Sequence, residues 1–247
     1  MWNSRVALVT GGSKGIGRGI CFALARAGIS VALNYNMNAV SASEVQDEIQ
    51  KSGGEAFITK ADICKESEII AMVKNTAQHF KGLDILVNCA GIMPTDPIET
   101  MSLTSWNKVI TTNLTSCFLT IREAIPYLKK SSCPRIINIA SQAAFAGSSQ
   151  HAHYAASKSG LLGLTYSLAK ELGPFGITVN IVSPGRVDTD ILAYGTKEKR
   201  KEWIAGTPLN RLGTVDEIAN VVVFLASVES SYMTGANLNV NGGMLMG

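Results

Sequence analysis

VALVTGGSKGIGRGI, residues 6–20, decides the fold. Four apolar residues, Val6–Val9, run into Thr10 and a turn carrying Gly11, Gly12, Gly15 and Gly17. Ile16 then opens an apolar helical pattern that reaches Ala27. A strand, a glycine-rich turn and a helix start make the first half of a βαβ unit. The glycines are spaced G-x-x-x-G-x-G and not G-x-G-x-x-G, but the physics is shared. Glycine permits a tight turn and close backbone approach, and a helix N-terminus presents free N–H groups to a pyrophosphate. By itself the stretch also reads as an ordinary βα turn rich in glycine.

Further along the chain, short apolar runs continue to alternate with longer helical patterns. The runs are Val6–Thr10, Ser30–Tyr35, Ala56–Lys60, Leu83–Asn88, Arg135–Ala140, Thr178–Val182 and Leu238–Val240. Helical patterns cover Ile16–Ala27, Ala42–Ser52, Glu66–Phe80, Leu103–Lys129, Ala155–Leu172 and Val215–Ala226. Near-continuous apolar strands are those covered on both faces. The expectation is a single α/β domain over residues 1–247, Rossmann-like and doubly wound, with a parallel seven-stranded sheet and helices on both faces. No repeat or linker divides it.

Such sheets bind ligands beyond the carboxyl ends of their strands. Those ends read Thr10-Gly11-Gly12-Ser13, Asn34-Tyr35-Asn36, Ala61-Asp62-Ile63, Asn88-Cys89-Ala90-Gly91, Ser141 and Ser183-Pro184-Gly185. Their convergence on one rim turns the glycine turn into a strong dinucleotide signal. An NAD site usually puts Asp or Glu at the end of the second strand. Here that end is Asn34-Tyr35-Asn36-Met37-Asn38, and the first acidic residue after Gly17 is Glu44. Lys14 adds a cation beside the turn, although a lysine there is also what a solvated loop carries. A 2′-phosphate is favoured next to a cation and neutral amides and disfavoured next to a carboxylate, so NADP(H) is expected over NAD(H).

HAHYAASKSG, residues 151–160, holds two of the three histidines, with Tyr154 and Lys158 four residues apart. That spacing puts tyrosine and lysine on one helical face. An ammonium beside the phenol oxygen, together with an oxidised nicotinamide, favours the phenolate and makes tyrosine a proton donor or acceptor near neutral pH. An isolated Y-x-x-x-K is more often incidental. Ser141 ends its strand with a hydroxyl at the rim. Asn113 is polar inside a helical pattern, either capping a local kink or holding a water that connects Lys158 to solvent. His151 and His153 form H-x-H with no third metal ligand at suitable spacing, and are expected to line the substrate entrance or face solvent.

The bulk numbers exclude several classes. With 22 Lys plus Arg against 19 Asp plus Glu, the net charge is +3 and the basic residues are scattered. The densest run, Lys197–Lys201, is interrupted by Glu198, which argues against a nucleic-acid surface. Five cysteines, odd in number and without a Cys-x-x-Cys, fit buried free thiols in a reducing compartment. No apolar run is long enough to span a bilayer, and the sequence opens without a leader, so a cytoplasmic protein is expected.

Together these motifs resemble the short-chain dehydrogenase/reductase family over essentially the whole chain. The matching stretches are TGGSKGIG (10–17), Asp62 in ADI, NCAG (88–91), TNLT (112–115), Ser141, YAASK (154–158), SPGRVDTD (183–190) and NVNGGM (239–244). The resemblance implies a catalytic tetrad of Asn113, Ser141, Tyr154 and Lys158. Tyr154 would be the acid, with Lys158 tuning it and gripping the nicotinamide ribose. The cofactor would lie along Gly11, Ser13, Lys14, Gly15, Ile16 and Gly17, with Asn34 and Tyr35 at the second strand end. Asp62 and Ile63 would border the adenine, and Asn88, Ala90 and Gly91 would line the cofactor. Pro184, Gly185, Val187 and Thr189 would reach the nicotinamide, the last two at its carboxamide. Cys89 stands where the family commonly has Asn, and Gly12 where Ala is common.

The reaction implied is hydride transfer between NADPH and a ketone. Within the family the chain looks closest to the β-ketoacyl-acyl carrier protein reductases, by VALNYN, TPLNRLGTVDEIA and NVNGGM. That group implies fatty acid biosynthesis, a 3-oxoacyl thioester and docking of an acidic carrier protein near the active-site mouth. Phe175 stands where many members have a docking arginine, and Lys129 and Lys130 are the nearby cations. Residues 191–206 are expected to form a mobile lid with Tyr194, Trp203 and Ile204 as its apolar side. Gln142 would meet a polar substrate. A sugar, polyol or small secondary alcohol dehydrogenase is the alternative, and a dinucleotide-binding regulator without turnover is a further one. The resemblance also implies a homotetramer.

Overall fold

A computed structural model of the chain describes residues 5–189 and 196–246. Val6–Val9 (β1) pairs in parallel with Ser30–Tyr35 (β2) on one side and with Ile85–Asn88 (β4) on the other. Ala56–Lys60 (β3) lies outside β2. Arg135–Ile139 (β5), Thr178–Pro184 (β6) and Asn237–Val240 (β7) continue beyond β4. Among the described residues the order is β3-β2-β1-β4-β5-β6-β7, a parallel Rossmann-like sheet whose order reverses between β1 and β4.

The helices are Gly15–Arg26 (α1), Ala39–Lys51 (α2), Glu66–Phe80 (α3), Leu103–Ile110 (α4), Ser116–Leu128 (α5), Ala143–Ala146 (α6), Ala152–Leu172 (α7), Lys197–Ala205 (α8) and Val215–Ala226 (α9). Alternate strand residues feed two cores, as a period-two strand requires. Ala7, Val9, Val31 and Leu33 pack with Ile20 and Leu24 of α1, Ile49 of α2 and Val222 of α9. Leu8, Leu86, Ile136 and Val179 pack on the opposite face with Met72 of α3, Ile121 of α5 and Leu172 of α7. Both faces of the sheet are therefore covered, which is why the strands read as unbroken apolar runs.

The sequence pattern over Leu103–Lys129 predicts one helix, and the structure corrects it. The chain runs through α4, a π-helical turn over Thr111–Thr115, and α5. Thr112 Oγ1 bonds to Lys108 O at 2.7 Å and Ser116 Oγ to Thr112 O at 2.6 Å. Hydroxyls that bond back to carbonyls four residues earlier bend helices, and π turns cluster at functional sites. Asn113 sits in this turn.

At the amino ends of the strands, Arg135 is buried and holds the carboxyl end of α9. Its Nε and Nη2 donate to Ser227 O at 3.2 and 3.0 Å, and its Nη1 donates to Pro134 O at 3.0 Å. Arg5, just before β1, donates to Ala226 O at 2.5 Å. Burial pulls the Arg5 guanidinium below its usual range, with the neighbouring Arg135 adding to the effect. Arg135→Met removes the three guanidinium bonds to Ser227 O and Pro134 O and is expected to lower unfolding free energy by about 2–3 kcal/mol. Urea titration should give a lower midpoint and an unchanged slope; an unchanged midpoint would contradict the assignment.

Candidate active site

The carboxyl ends of the strands meet along one rim. Gly11, at φ +67°, has backbone that a side chain rarely adopts, and a Cβ there would sit 2.9 Å from Ala90 Cα. A Cβ at Gly17 would lie 2.2 Å from Gly11 O, so the start of α1 can fold back onto the turn only as glycine. Thr10 Oγ1 ties the turn to β4 by accepting from Cys89 N and Ala90 N at 3.0 and 3.1 Å. Gly12 N donates to Asn34 O at 2.9 Å, joining it to β2.

The start of α1 fits an anionic group. Its N-cap residue, Lys14, is extended and makes no side-chain capping bond, and the first turn holds no acidic residue. The leading N–H groups therefore point outward under a positive helix end. Lys14 is exposed, as are Asn36, Met37 and Asn38 after β2. Asn38 caps α2 by accepting from Ser41 N at 3.0 Å. Glu44 lies beyond it on α2 and is exposed.

Two amides read as rim residues turn inward. Asn34 is buried; its Oδ1 accepts from Gly11 N at 3.3 Å and its Nδ2 donates to Ala61 O at 3.0 Å. Asn88 is buried as well. Thr120 Oγ1 donates to Asn88 Oδ1 at 2.7 Å, Asn88 Nδ2 to Asn138 Oδ1 at 2.9 Å, and Asn138 Nδ2 to Thr165 Oγ1 at 2.9 Å. This chain joins α5, β4, β5 and α7 beneath the rim, and leaves backbone as what Asn34 and Asn88 offer a ligand. Ile63 and Val187 also bury their side chains. Asp62 Oδ1 accepts from Cys64 N at 3.0 Å, while Tyr35, Ala90 and Gly91 are half-buried at the rim.

The centre of the site is built around Asn113, which is fully buried. Its Oδ1 accepts from Ile92 N at 2.8 Å, and its Nδ2 donates to Ile92 O at 2.9 Å and to Ser157 Oγ at 3.1 Å. Ser157 Oγ donates in turn to Tyr154 O at 2.7 Å. Lys158 is buried and donates from Nζ to Ile139 O at 2.7 Å, and its Nζ lies 5.8 Å from the Tyr154 ring centroid. A Cβ at Gly91 would lie 3.3 Å from Asn113 Oδ1 and 3.6 Å from Lys158 Nζ. Asn113, Tyr154, Lys158 and the β4 exit are thus brought together. Ser141 follows β5 two residues after Ile139, half-buried, its Oγ accepting from Ala143 N at 3.1 Å.

Ser157 and Ile92 were not singled out in the sequence. Ser157 carried a signal, since it lies three residues after Tyr154 and shares its helical flank. Of the two readings of the histidines, solvent exposure is corrected: both are buried. His151 is buried and joins two loops. Its Nδ1 lies 2.7 Å from Ser149 O, and its Nε2 lies 3.2 Å from Thr95 Oγ1. His153 is fully buried on α7.

The cysteines are free, with Cys21 and Cys117 buried and Cys64 exposed. Burial pushes the Cys89 thiol up to about 12, Lys158 pulling the other way, so this thiol beside the site stays protonated. Lys129 sits with Nζ 3.6 Å from the Phe175 ring centroid. This cation–aromatic pair lies past the far end of α7, about 27 Å along the helix from Tyr154. Within this chain the pair therefore stands apart from Tyr154.

Beyond β6, Arg186–Thr189 is held by the segment before α9. Val187 pairs with Gly213, Asp188 N donates to Gly213 O at 2.9 Å, and Gly213 N donates to Arg186 O at 2.9 Å. Pro184 O accepts from Gln142 N at 2.9 Å and Gly185 lies against Asn241, while Thr189 approaches Gly15, where a Cβ would lie 3.9 Å away. Trp203 of α8 is buried; Ile191 and Tyr194, read as part of the lid, lie outside the described residues. Glu217 fixes this clip as the third residue of a capping box with Thr214 and as partner of Arg211, whose Nη1 donates to Glu217 Oε2 at 2.9 Å. The Arg211 bonds, followed by the Thr214 N–H, hold the Glu217 carboxyl down at about 2.

A carboxyl held below its unfolded value adds stability above that value and loses it as pH falls toward the folded one. Glu217→Gln is thus expected to lower the urea midpoint by an amount that is constant above about pH 4.5 and shrinks below it. Equal differences at about pH 6 and about pH 3 would contradict it.

Comparison with known proteins agrees with this architecture. Residues 11–245 match the family described as enoyl-(acyl carrier protein) reductase. The chain is 40% identical over 243 residues to a 3-oxoacyl-(acyl-carrier-protein) reductase of Staphylococcus aureus, covering 98% of this chain and 99% of that protein. It is 39% identical over 244 residues to a 3-oxoacyl-(acyl-carrier-protein) reductase of Synechocystis, covering 98% of each. A crystal structure of a dehydrogenase/reductase from Sinorhizobium meliloti superimposes with a TM-score of 0.94 at 37% identity, over 99% of this chain and 96% of that one.

Proposed function

The chain belongs to the short-chain dehydrogenase/reductase family, and from that premise we propose that this NAD(P)(H)-dependent oxidoreductase reduces a 3-oxoacyl thioester to the 3-hydroxyacyl thioester with NADPH. The observation that carries the reading is the buried Lys158 ammonium, pinned to Ile139 O at 2.7 Å between the Tyr154 ring and the Gly91 turn. A cation fixed there, away from bulk water, acts at full strength on whatever negative charge develops at the phenol oxygen.

The dinucleotide would lie along Gly11–Gly17, with Tyr35, Asp62, Ile63 and the backbone of Asn34 toward the adenine. The backbone of Asn88–Gly91, with Pro184, Gly185, Val187 and Thr189, would lie toward the nicotinamide. When bound, it supplies the hydride that a ketone carbon needs. Tyr154 gives the proton on its Oη to the carbonyl oxygen as negative charge builds there, and Ser141 Oγ holds that oxygen. Lys158 keeps the phenol oxygen in a positive field and would hold the nicotinamide ribose. Lys158 and bound water would resupply the proton beside the turn that Asn113 fixes. Lys14 and the neutral Asn36–Asn38 edge support NADP(H) over NAD(H), because no carboxylate meets a 2′-phosphate before Glu44.

The names of the two reductases above support an acyl carrier protein as the thioester's bearer. Exposed apolar side chains on the long helices, Phe118 of α5 and Tyr166 of α7 among them, support assembly into a homotetramer. Five free cysteines support a cytoplasmic setting, and no helix among the described residues is long and apolar enough to cross a membrane.

Acetoacetyl-CoA, as a carrier-protein mimic, tests the reading by following cofactor absorbance with NADPH and NADH in parallel. Turnover is expected with NADPH, at a kcat/KM at least tenfold above that with NADH. A preference for NADH would contradict the charge argument at the β2 edge. Turnover of polyols or sugars with none of acetoacetyl-CoA would replace the substrate assignment. Tyr154→Phe is expected to lose at least a thousandfold in kcat while binding NADPH within about twofold of the parent. Retained turnover would remove Tyr154 as the acid.

A further inference from the structure

The helix that carries Tyr154 begins without an ordinary cap. His151 occupies the N-cap position of α7 and makes no side-chain capping bond. The first helical bond runs from Ala155 N to His151 O at 3.0 Å, which leaves the N–H groups of residues 152–154 without carbonyl partners inside the helix. One of the three is the amide of Tyr154 itself. It donates to Nδ1 of the preceding side chain, His153, at 2.9 Å. The Tyr154 carbonyl is held from the other side by Ser157 Oγ, and Ser157 by Asn113. Both polar ends of the Tyr154 backbone are therefore tied by side chains.

The His153 ring is fully buried, and among the described residues its Nε2 has no hydrogen-bond partner. A nitrogen that accepts carries no proton, so the ring's proton sits on Nε2 and the Nδ1 lone pair is aimed at Tyr154 N. Burying an imidazole with one end unpaired costs stability, and the contact it keeps is with the backbone of the proposed acid. On a helix the start of the phenol side chain follows its own backbone, and a tilt of the first turn moves Oη relative to Lys158, whose Nζ is fixed to β5.

We propose that His153 is a positioning residue for Tyr154: its Nδ1 serves as the cap for the tyrosine's amide and thereby sets where the phenol stands against Lys158. The inference rests on Tyr154 being the acid, as argued above. It requires an acceptor atom at position 153, and does not require a titrating group there.

The test compares His153→Asn, whose Oδ1 can accept from the same amide, with His153→Leu, which fills the space without an acceptor. Both are assayed as full-length protein with acetoacetyl-CoA and NADPH, at a temperature where circular dichroism shows each folded, with Tyr154→Phe alongside. The leucine protein is expected to lose tenfold or more in kcat, with KM for acetoacetyl-CoA and NADPH binding within about twofold of the parent. The asparagine protein is expected to restore kcat to within threefold. A leucine protein with parental kcat overturns the proposal. So does an asparagine protein as slow as the leucine one, because ring packing and not the acceptor would then be what matters. Should the leucine protein fail to fold, the asparagine protein decides alone: kcat within threefold supports the cap, and a tenfold loss with unchanged KM overturns it. Turnover surviving in Tyr154→Phe would instead refute the reading of the acid, an outcome separate from either result at His153.

Discussion

The site depends on the three hydrogen bonds of one buried amide, Asn113. Two of them close on the N–H and C=O of Ile92, so the chain leaving β4 is held as a neighbouring strand would hold it. The third reaches Ser157 on α7. One side chain thus fixes the exit of the central strand, the helix that carries Tyr154 and Lys158, and the π turn in which it sits. The π turn over Thr111–Thr115 is the backbone from which Asn113 reaches both partners, Ile92 and Ser157. The unusual turn and the amide explain each other, as π turns at functional sites do.

Polar groups that look like ligand contacts in the sequence turn out to set the geometry of the rim from below. Asn34 binds the glycine turn to the end of β3, and the Thr120–Asn88–Asn138–Thr165 chain runs across β4 and β5 on one face of the sheet. Each buried amide is satisfied at both ends, which makes such a network rigid. The strand ends are thereby fixed, and Tyr154, Lys158 and Ser141 stand on that frame. Beyond β6 the Arg211–Glu217–Thr214 clip does the same for Val187 and Thr189.

Most of the fold was legible because its signals are local. Apolar runs of strand length, helical periodicity and a glycine turn required only neighbours in sequence, and Glu66–Phe80 and Val215–Ala226 came out with their observed bounds. The break at Asn113 was legible only as one alternative, a local kink capped by the amide, since what forces it is a partner, Ile92, that lies across a loop. The inward turn of Asn34 and Asn88 was hidden for the same reason: a rim asparagine and a buried one have the same letter. His153 is the sharpest case. An imidazole beside a reactive tyrosine reads as an entrance or solvent residue, and only burial and the direction of its Nδ1 reveal a backbone cap.

Amide hydrogen exchange on the Asn113→Ala protein, read at Ile92 with NADPH turnover measured on the same sample, tests the dependence on Asn113 most directly. The expected result is fast exchange at Ile92 with the β1, β4 and β5 amides still protected, and turnover lost together with Ile92 protection. An Ile92 amide that stays protected, or parental turnover once its protection is gone, would contradict it.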